Sequence, residues 1–308
     1  MISLILRKIM YGFAVVLGVI IISFCINVLL PGDPARLLLG ERADESAVLT
    51  LRTQMGLDKP LPVQLGTYIL KVMRGDFGRS FATNREVLPL LLERLPATAL
   101  LAIVSILLAS LLGVVIGIIS ALRHGTWLDS FMMSIALLGI SLPSFVVGLL
   151  VAVVFGIVFD FFPISGYVNR GWEHIVLPAF TLGIRPLSVI ARVMRGSMLE
   201  VLQSDYIRTA RAKGLSERSV IVRHALRNSL TPVITTVSTW FASLLAGAIF
   251  VEYIFNWPGI GSVTISAIEQ LDFPVIQGSV LIISVLFVMV NVAADILYSL
   301  ADPRISIQ

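Results

Sequence analysis

Ionisable residues inside apolar segments are the first candidates for chemistry in this chain. Arg185 lies in a long apolar segment, about ten residues from its end, which at ~1.5 Å per helical residue is near its middle. A charge in lipid costs at least ~2.5 kcal/mol, so such residues usually mark a solute or ion pathway. Arg185 could meet a carboxylate on a cargo or latch to an acid on another helix. Alternatively, Pro186 opens the helix and Arg185 reaches the interface or is satisfied by backbone.

Two acidic residues near the ends of later apolar segments raise the same question. Glu252 could contact a solute, but we expect it to face water at the outer end of its segment. Asp295 follows Asn291 by four residues, so both lie on one helical face. We expect this pair to stabilise helix packing or a gate rather than to bind cargo.

Motifs for catalysis are missing from the sequence. It contains no GxxxxGK[ST] phosphate loop, no GxSxG nucleophile turn and no HExxH zinc motif. The glycines of GIGSV have the wrong spacing for a dinucleotide loop, and His124, His174 and His224 fit no metal-ligand spacing. We therefore predict no catalytic residue, cofactor site or metal site here. If the protein consumes energy, another chain supplies it.

A basic, polar stretch at residues 204–227 interrupts the apolar C-terminal half. Ser204 is placed to cap a short helix, Gly214 to end it, and Ser216 with Glu217 to begin another. Two short helices joined by a glycine turn are predicted. On the first, one face is apolar and suited to docking, and another carries two arginines three positions apart. The apolar face comprises Tyr206, Ile207 and Ala210, and the arginines are Arg208 and Arg211.

Composition sets the context for these residues. Hydrophobic residues make up 57% of the 308 residues and charged residues 14%, whereas soluble domains carry roughly 25% charged residues. An all-α polytopic membrane protein is predicted, with six spans near residues 9–30, 96–122, 128–159, 175–194, 231–250 and 276–300. Pro143 should bend the long third span. The single cysteine, Cys25, excludes an intrachain disulfide.

The distribution of basic residues predicts the orientation. The net charge of +4 comes from cations beside apolar spans, which is typical of cytoplasmic loops rather than of nucleic-acid binding. Both termini should therefore be cytoplasmic. We predict an N-terminal span (1–30), an extracytoplasmic subdomain (31–95), a five-helix core (96–300, with a cytoplasmic loop at 196–230) and a tail (301–308). The alternative for 31–95 is a solvated connecting loop.

The outer connection before the last predicted span combines aromatic residues with turn signals. Tyr253, Phe255 and Trp257 are of the types found at membrane interfaces, and a proline and two glycines follow. The sequence SVTISAIEQL that comes next predicts a short helix.

The stretch RTARAKG at residues 208–214 resembles the "EAA" loop of ABC-importer permeases, which acts in that family as a coupling helix seated in a groove of the ATPase. Ala210 and Gly214 match the general pattern, whereas Arg208 stands in place of the glutamate and Thr209 in place of the first alanine. The sequence DYIRTARAKG followed by HALRNS is similar to the corresponding sequences of one branch of the family. That branch is the first permease (B-type) of the dipeptide, oligopeptide, nickel and glutathione importers.

Further stretches extend this resemblance along the chain. LPGDPA, MGLDKPL with GDFGRS, ISLPSF, FNWPGIG, DFPVIQ and DILYSLADPRI occur in the branch's order. The resemblance implies a type I importer permease fold and a bacterial inner-membrane location. It also implies a second homologous permease, two ATPase subunits that hold ATP and Mg²⁺, and an extracytoplasmic binding protein. The coupling residues it implies are Asp205, Tyr206, Arg208, Thr209, Ala210, Arg211, Ala212, Lys213 and Gly214.

Several functions stay open at this point. The implied cargo is a small peptide-like solute (dipeptide, oligopeptide or glutathione), and a nickel or metal-chelate importer is the alternative. A secondary transporter or channel would be expected to show internal repeats or paired pathway acids, neither of which is found. A membrane-embedded enzyme is disfavoured by the missing nucleophile and metal motifs.

Overall fold

The computed structural model describes residues 2–29, 35–36 and 44–301. The predicted all-α membrane architecture is confirmed, since long apolar helices dominate this part of the chain. In chain order the helices are α1 (Ile2–Leu29), α2 (Glu45–Met55), α3 (Leu61–Met73), α4 (Val87–Leu122), α5 (Trp127–Ser141), α6 (Ser144–Val151), α7 (Val176–Leu202), α8 (Asp205–Ala212), α9 (Leu226–Gly247), α10 (Ile249–Ile254), α11 (Ile260–Glu269) and α12 (Phe273–Ala301).

Four helical stretches of the described chain are long and apolar enough to cross a membrane, and a bent pair would make a fifth span. The four are Val87–Leu122, Trp172–Leu202, Glu217–Ala246 and Phe273–Ala294. The apolar stretch of α1, Met10–Ile26, is shorter than those of the four spans. The count of six spans therefore stays a prediction.

The bend expected at Pro143 is present. Helices α5 and α6 meet at an angle of 111°, with Leu142 and Pro143 extended between them. Proline lacks the N–H that would continue α5 and disfavours helical geometry in the residue before it. After α6 the chain continues as a π-helix, Ala152–Val158. The short helix expected from SVTISAIEQL is also present, as α11.

The described helices form two compact units. The first contains residues 1–96 and 259–289. Its apolar core includes Val87, Leu91 and Val275, and Asp272 is its polar centre. The buried Asp272 carboxylate accepts hydrogen bonds from Ser80 Oγ at 2.5 Å and from the backbone N–H groups of residues 81 and 82 at 3.0 and 3.3 Å. The motifs GDFGRS and DFPVIQ, far apart in sequence, are thereby joined.

Helix α7 is central to the second unit, which contains residues 97–258 and 290–308. Glycines allow neighbouring helices to approach its backbone closely. A Cβ at Gly113 of α4 would lie 2.9 Å from the Leu187 carbonyl oxygen, and one at Gly183 of α7 would lie 3.0 Å from the Ser105 carbonyl oxygen. Gly148 of α6 faces Thr181 in the same way. The α7 helix runs unbroken through Pro186, so proline does not open it.

Trp257 anchors one end of the second unit. Its indole Nε1 donates to the Ala97 carbonyl at 2.9 Å, and its ring meets Tyr167 edge-on at 4.9 Å. Trp257 and Phe255 are buried in the protein core, whereas Tyr253, of the same interfacial residue types, is exposed. The Pro258-Gly259 turn returns the chain so that Trp257 fills the core.

Candidate functional site: the α8 segment

Helix α8 begins where the sequence predicts, but its cap differs. Ser204 occupies the N-cap position with extended backbone, yet its hydroxyl makes no capping bond and instead donates to the Val201 carbonyl at 2.6 Å. The first turn is closed by backbone N–H groups of Ile207 and Arg208, which donate to the Ser204 carbonyl at 3.2 and 3.3 Å. The role of Ser204 is therefore to end α7 as well as to begin α8.

The far end of α8 is closed by the glycine turn that the sequence predicts. Gly214 has a φ of +77°, in the left-handed region. Its N–H donates to the Arg211 carbonyl at 2.9 Å, and the next N–H, of Leu215, donates to the Ala210 carbonyl at 3.4 Å. This pair of bonds is the Schellman arrangement, which satisfies carbonyls that the helix leaves without donors.

One face of α8 docks on the protein. Ile207 and Ala210 are buried, as predicted, and belong to the core of the second unit. Tyr206 is 43% exposed, and its hydroxyl oxygen accepts a hydrogen bond from Asn228 Nδ2 at 2.9 Å. Because Asn228 lies on α9, this bond and the apolar contacts fix α8 to a candidate membrane span.

The other face of α8 is open to solvent. Thr209, Ala212 and Lys213 are exposed, as are Asp205 and Arg208. Asp205 and Arg208 approach each other at 3.6 Å with side chains 96% and 74% exposed, so water screens the pair. Arg211 is drawn away from Arg208 by Glu217, which accepts bonds from its Nε and Nη2 at 2.8 and 3.3 Å. The outward face thus presents one arginine, while the second braces the glycine turn.

A π-helical segment connects α8 to α9. After a single turn at Glu217–Ser219, the chain forms the π-helix Val220–Ala225 and then α9. The buried Ser229 hydroxyl donates to the Ala225 carbonyl at 2.9 Å and touches the Met198 sulfur at 3.5 Å. Sequence periodicity gives no signal for this segment, because π-turns depend on packing rather than on residue type. Such segments are frequent at functional sites.

An ion pair between the buried Asp129 and the partly buried Arg195 joins the end of α4, the start of α5 and the last third of α7, and the sequence does not predict it. Arg195 Nε and Nη2 each bond an oxygen of Asp129 at 2.7 Å, and Ser120 and the N–H of Gly125 also donate to this carboxylate. His124 Nδ1 lies 3.0 Å from Arg195 Nη2. The available signal was an acid in the first turn of one span and an arginine in the last third of the next.

The structure describes the surroundings of two of the three ionisable residues in apolar segments, Arg185 and Glu252, and these differ. Arg185 is exposed on α7. Glu252 is 0% exposed on α10, so the expectation that it faces water is wrong. It is enclosed because α10 packs on α6 and α7. Asp295 lies in α12, but its side chain falls outside the described part of the molecule. The motifs LPGDPA and DILYSLADPRI and the tail extend beyond the described residues.

Comparison with known families gives full-length matches. Residues 113–307 match the family described as "Binding-protein-dependent transport system inner membrane component", and residues 1–102 match the N-terminal model of such membrane components. A protein of Brucella abortus (strain 2308), provisionally named peptide transport system permease protein, is 41% identical over 311 residues and covers 99% of both chains. The glutathione transport system permease protein GsiC of Salmonella paratyphi A is 41% identical over 305 residues, with 99% of each chain covered.

Among solved structures, an amino acid ABC transporter crystallised with histidines is 16% identical, with a TM-score of 0.49. The match covers 70% of this chain and 94% of that one.

Proposed function

The chain belongs to the binding-protein-dependent transport system inner membrane component family, and we propose that it forms half of the translocation pathway of an ATP-driven importer for a small peptide-like solute. As a member of this family it is a multi-pass permease subunit of the inner membrane that works with further subunits and a binding protein. The names of relatives at 41% identity, peptide and glutathione permeases, support the proposed cargo class.

The remaining subunits are proposed from the family resemblance. A second homologous permease completes the pathway, and two ATPase subunits bind ATP and Mg²⁺ and carry out hydrolysis, so this chain has no catalysis or cofactor of its own. Both termini face the cytoplasm, residues 31–95 form an extracytoplasmic subdomain, and residues 96–300 form the core. Glu252, which is buried, and Asp295 are kept as candidate pathway or gate residues, since acidic residues in membrane helices usually have a functional role.

The observation that carries the coupling role is the two-sided arrangement of α8. Ile207 and Ala210 hold it to the protein while residues such as Arg208 and Thr209 are open to a partner. A force applied to the open face reaches α9 through the Tyr206–Asn228 bond and the π-helix. When ATP binding closes the ATPase dimer, the groove of the ATPase that holds α8 moves. The bundle then rocks between inward-facing and outward-facing states, as in alternating access.

Reconstitution tests this function. The chain, co-expressed with its second permease and ATPases, is placed in proteoliposomes with the binding protein, and uptake of a dipeptide, glutathione and a nickel chelate is measured. We expect accumulation of the dipeptide or glutathione that needs both ATP and the binding protein. If only the nickel chelate were taken up, the cargo would be a metal chelate and not a peptide-like solute. Solute transport by the purified chain without ATPases would contradict the importer function.

A further inference from the structure

Helix α7 carries one row of residues in which three of the four members are exposed and the fourth, Val189, is half-buried, although its other sides are packed. Arg185, Val189, Arg192 and Gly196 follow one another at spacings of four, three and four, which places them on one face of the helix. Both arginines are exposed. Residues on the remaining faces, such as Ile190 and Met194, are fully buried. The row is therefore a basic stripe on an otherwise enclosed span.

Helix α9 carries a second uncovered row. Thr231, Thr235 and Thr239 are four residues apart on one face and all are exposed. The hydroxyls of Thr235 and Thr239 donate to the carbonyls four residues earlier, at 3.4 and 3.0 Å. Their oxygens keep acceptor capacity, so the row can hold water without adding charge.

The two rows lie at matching depth on neighbouring helices. Helices α7 and α9 run antiparallel and pack on each other, and Met198 meets Ser229 near their inner ends. Arg192 is six residues outward from Met198, and Thr235 is six residues outward from Ser229, so each lies about 9 Å from that contact at 1.5 Å per residue. Arg185 lies about 20 Å outward by the same measure, within the apolar part of the span.

Contact with lipid would be unfavourable for the arginines of the α7 row. Arginine in the apolar part of a membrane protein normally faces the bundle interior or a water-filled cavity. The acid on the same face of α7, Glu200, lies one turn beyond Gly196, at the inner end of the helix. Between Gly196 and Arg185 the charge on the row is positive only. A site of this kind complements an anion, and guanidinium groups suit carboxylates in particular.

We propose that the uncovered rows of α7 and α9 form a water-lined wall of the translocation pathway that favours solutes carrying a carboxylate. Arg185 and Arg192 bind that carboxylate as the solute passes, and the threonine row keeps the wall hydrated. The inference rests on the proposed function, because it assigns a ligand class to the same pathway. Its occupant is the anionic solute rather than an acidic side chain of the second permease.

Thiol labelling of the assembled transporter tests the wall directly. In a Cys25→Ala background, Thr235→Cys is introduced, and the complex of all subunits is placed in lipid nanodiscs, where both membrane faces are accessible. Two methanethiosulfonates of similar size are compared, one with a sulfonate and one with a trimethylammonium group. Rates are divided by those for a small free thiol. Leu111→Cys, on an exposed apolar position of α4, is the lipid-facing control.

We expect Thr235→Cys to react with both reagents, at least about tenfold faster with the anionic one, and Leu111→Cys to stay unreactive. When Arg185→Gln and Arg192→Gln are added to Thr235→Cys, the labelling rates with the anionic and the cationic reagent should become similar. A Thr235→Cys as unreactive as Leu111→Cys would overturn the proposal, since lipid or a partner's side chain then covers the row. Equal labelling rates with the two reagents while both arginines are present would contradict the proposal that the wall favours anionic solutes. ATP-dependent uptake, measured separately, reports on the proposed function itself.

Discussion

The glycine turn after α8 offers a test of coupling in which backbone strain is the only perturbation. A Cβ added at Gly214 would meet no atom within 4 Å, so steric clash plays no part. The φ of +77° remains, and an L-residue in the left-handed region costs roughly 1–2 kcal/mol. Valine is among the worst residues there because it is β-branched, whereas asparagine tolerates this region. Since 1.4 kcal/mol is about tenfold in an equilibrium, Gly214→Val should reduce the population with an intact turn substantially.

The expected order of solute transported per ATP hydrolysed is Gly, then Asn, then Ala, then Val at position 214. The assay is uptake together with ATP hydrolysis in proteoliposomes at a fixed amount of assembled complex. Gly56→Val is the matched control: Gly56 closes α2 with a φ of +73° and a similar turn, but it lies in the segment predicted to be extracytoplasmic. It should lower stability by a similar amount and leave the ratio unchanged. Unchanged coupling in Gly214→Val, or an equal loss of coupling in Gly56→Val, would show that the turn after α8 has no special part in coupling.

Three further substitutions probe contacts of the same fold. Asp129→Asn should lower the free energy of unfolding by about 1–3 kcal/mol, because it leaves the partly buried Arg195 guanidinium without its charged partner; adding Arg195→Gln should recover part of the loss. Asp272→Ala should cost about 3 kcal/mol and expose residues 75–86 to protease, and an unchanged cleavage rate would contradict this. Tyr206→Phe should lower transport per ATP. Adding Asn228→Ala should lower it only slightly further, since the bond between the two side chains is already gone and the second substitution removes just the local bond from Asn228 to the His224 carbonyl.

The sequence predicts those parts of the fold that depend on local chemistry. The bend at Pro143 follows from a missing N–H, and the turn at Gly214 follows from the conformational freedom of glycine. The docked face of α8 follows from spacing, because Ile207 and Ala210 are three apart and apolar. Each of these features is decided within a few residues of chain.

Features that depend on tertiary contact could not be predicted in this way. Tryptophan is a residue type typical of membrane interfaces, but the Trp257 indole is buried, where it donates to the Ala97 carbonyl and packs against the Tyr167 ring. The pairing of Asp129 with Arg195 spans 66 residues and has no local signature. Glu252 looks water-facing from its position at a helix end, yet packing of α10 on neighbouring helices encloses it.

In the proposed importer, the open face of α8 meets an ATPase subunit. A photo-reactive amino acid is placed at Arg208 in the purified complex, and cross-linking with mass spectrometry detects this contact. Arg123, in the loop between α4 and α5, is the comparison position. Both residues are exposed in the isolated chain. We expect a cross-link from position 208 to an ATPase subunit, in higher yield than from position 123, and we expect its yield to change when ATP is bound. No cross-link from position 208, or equal yields from both positions, would contradict the proposed contact.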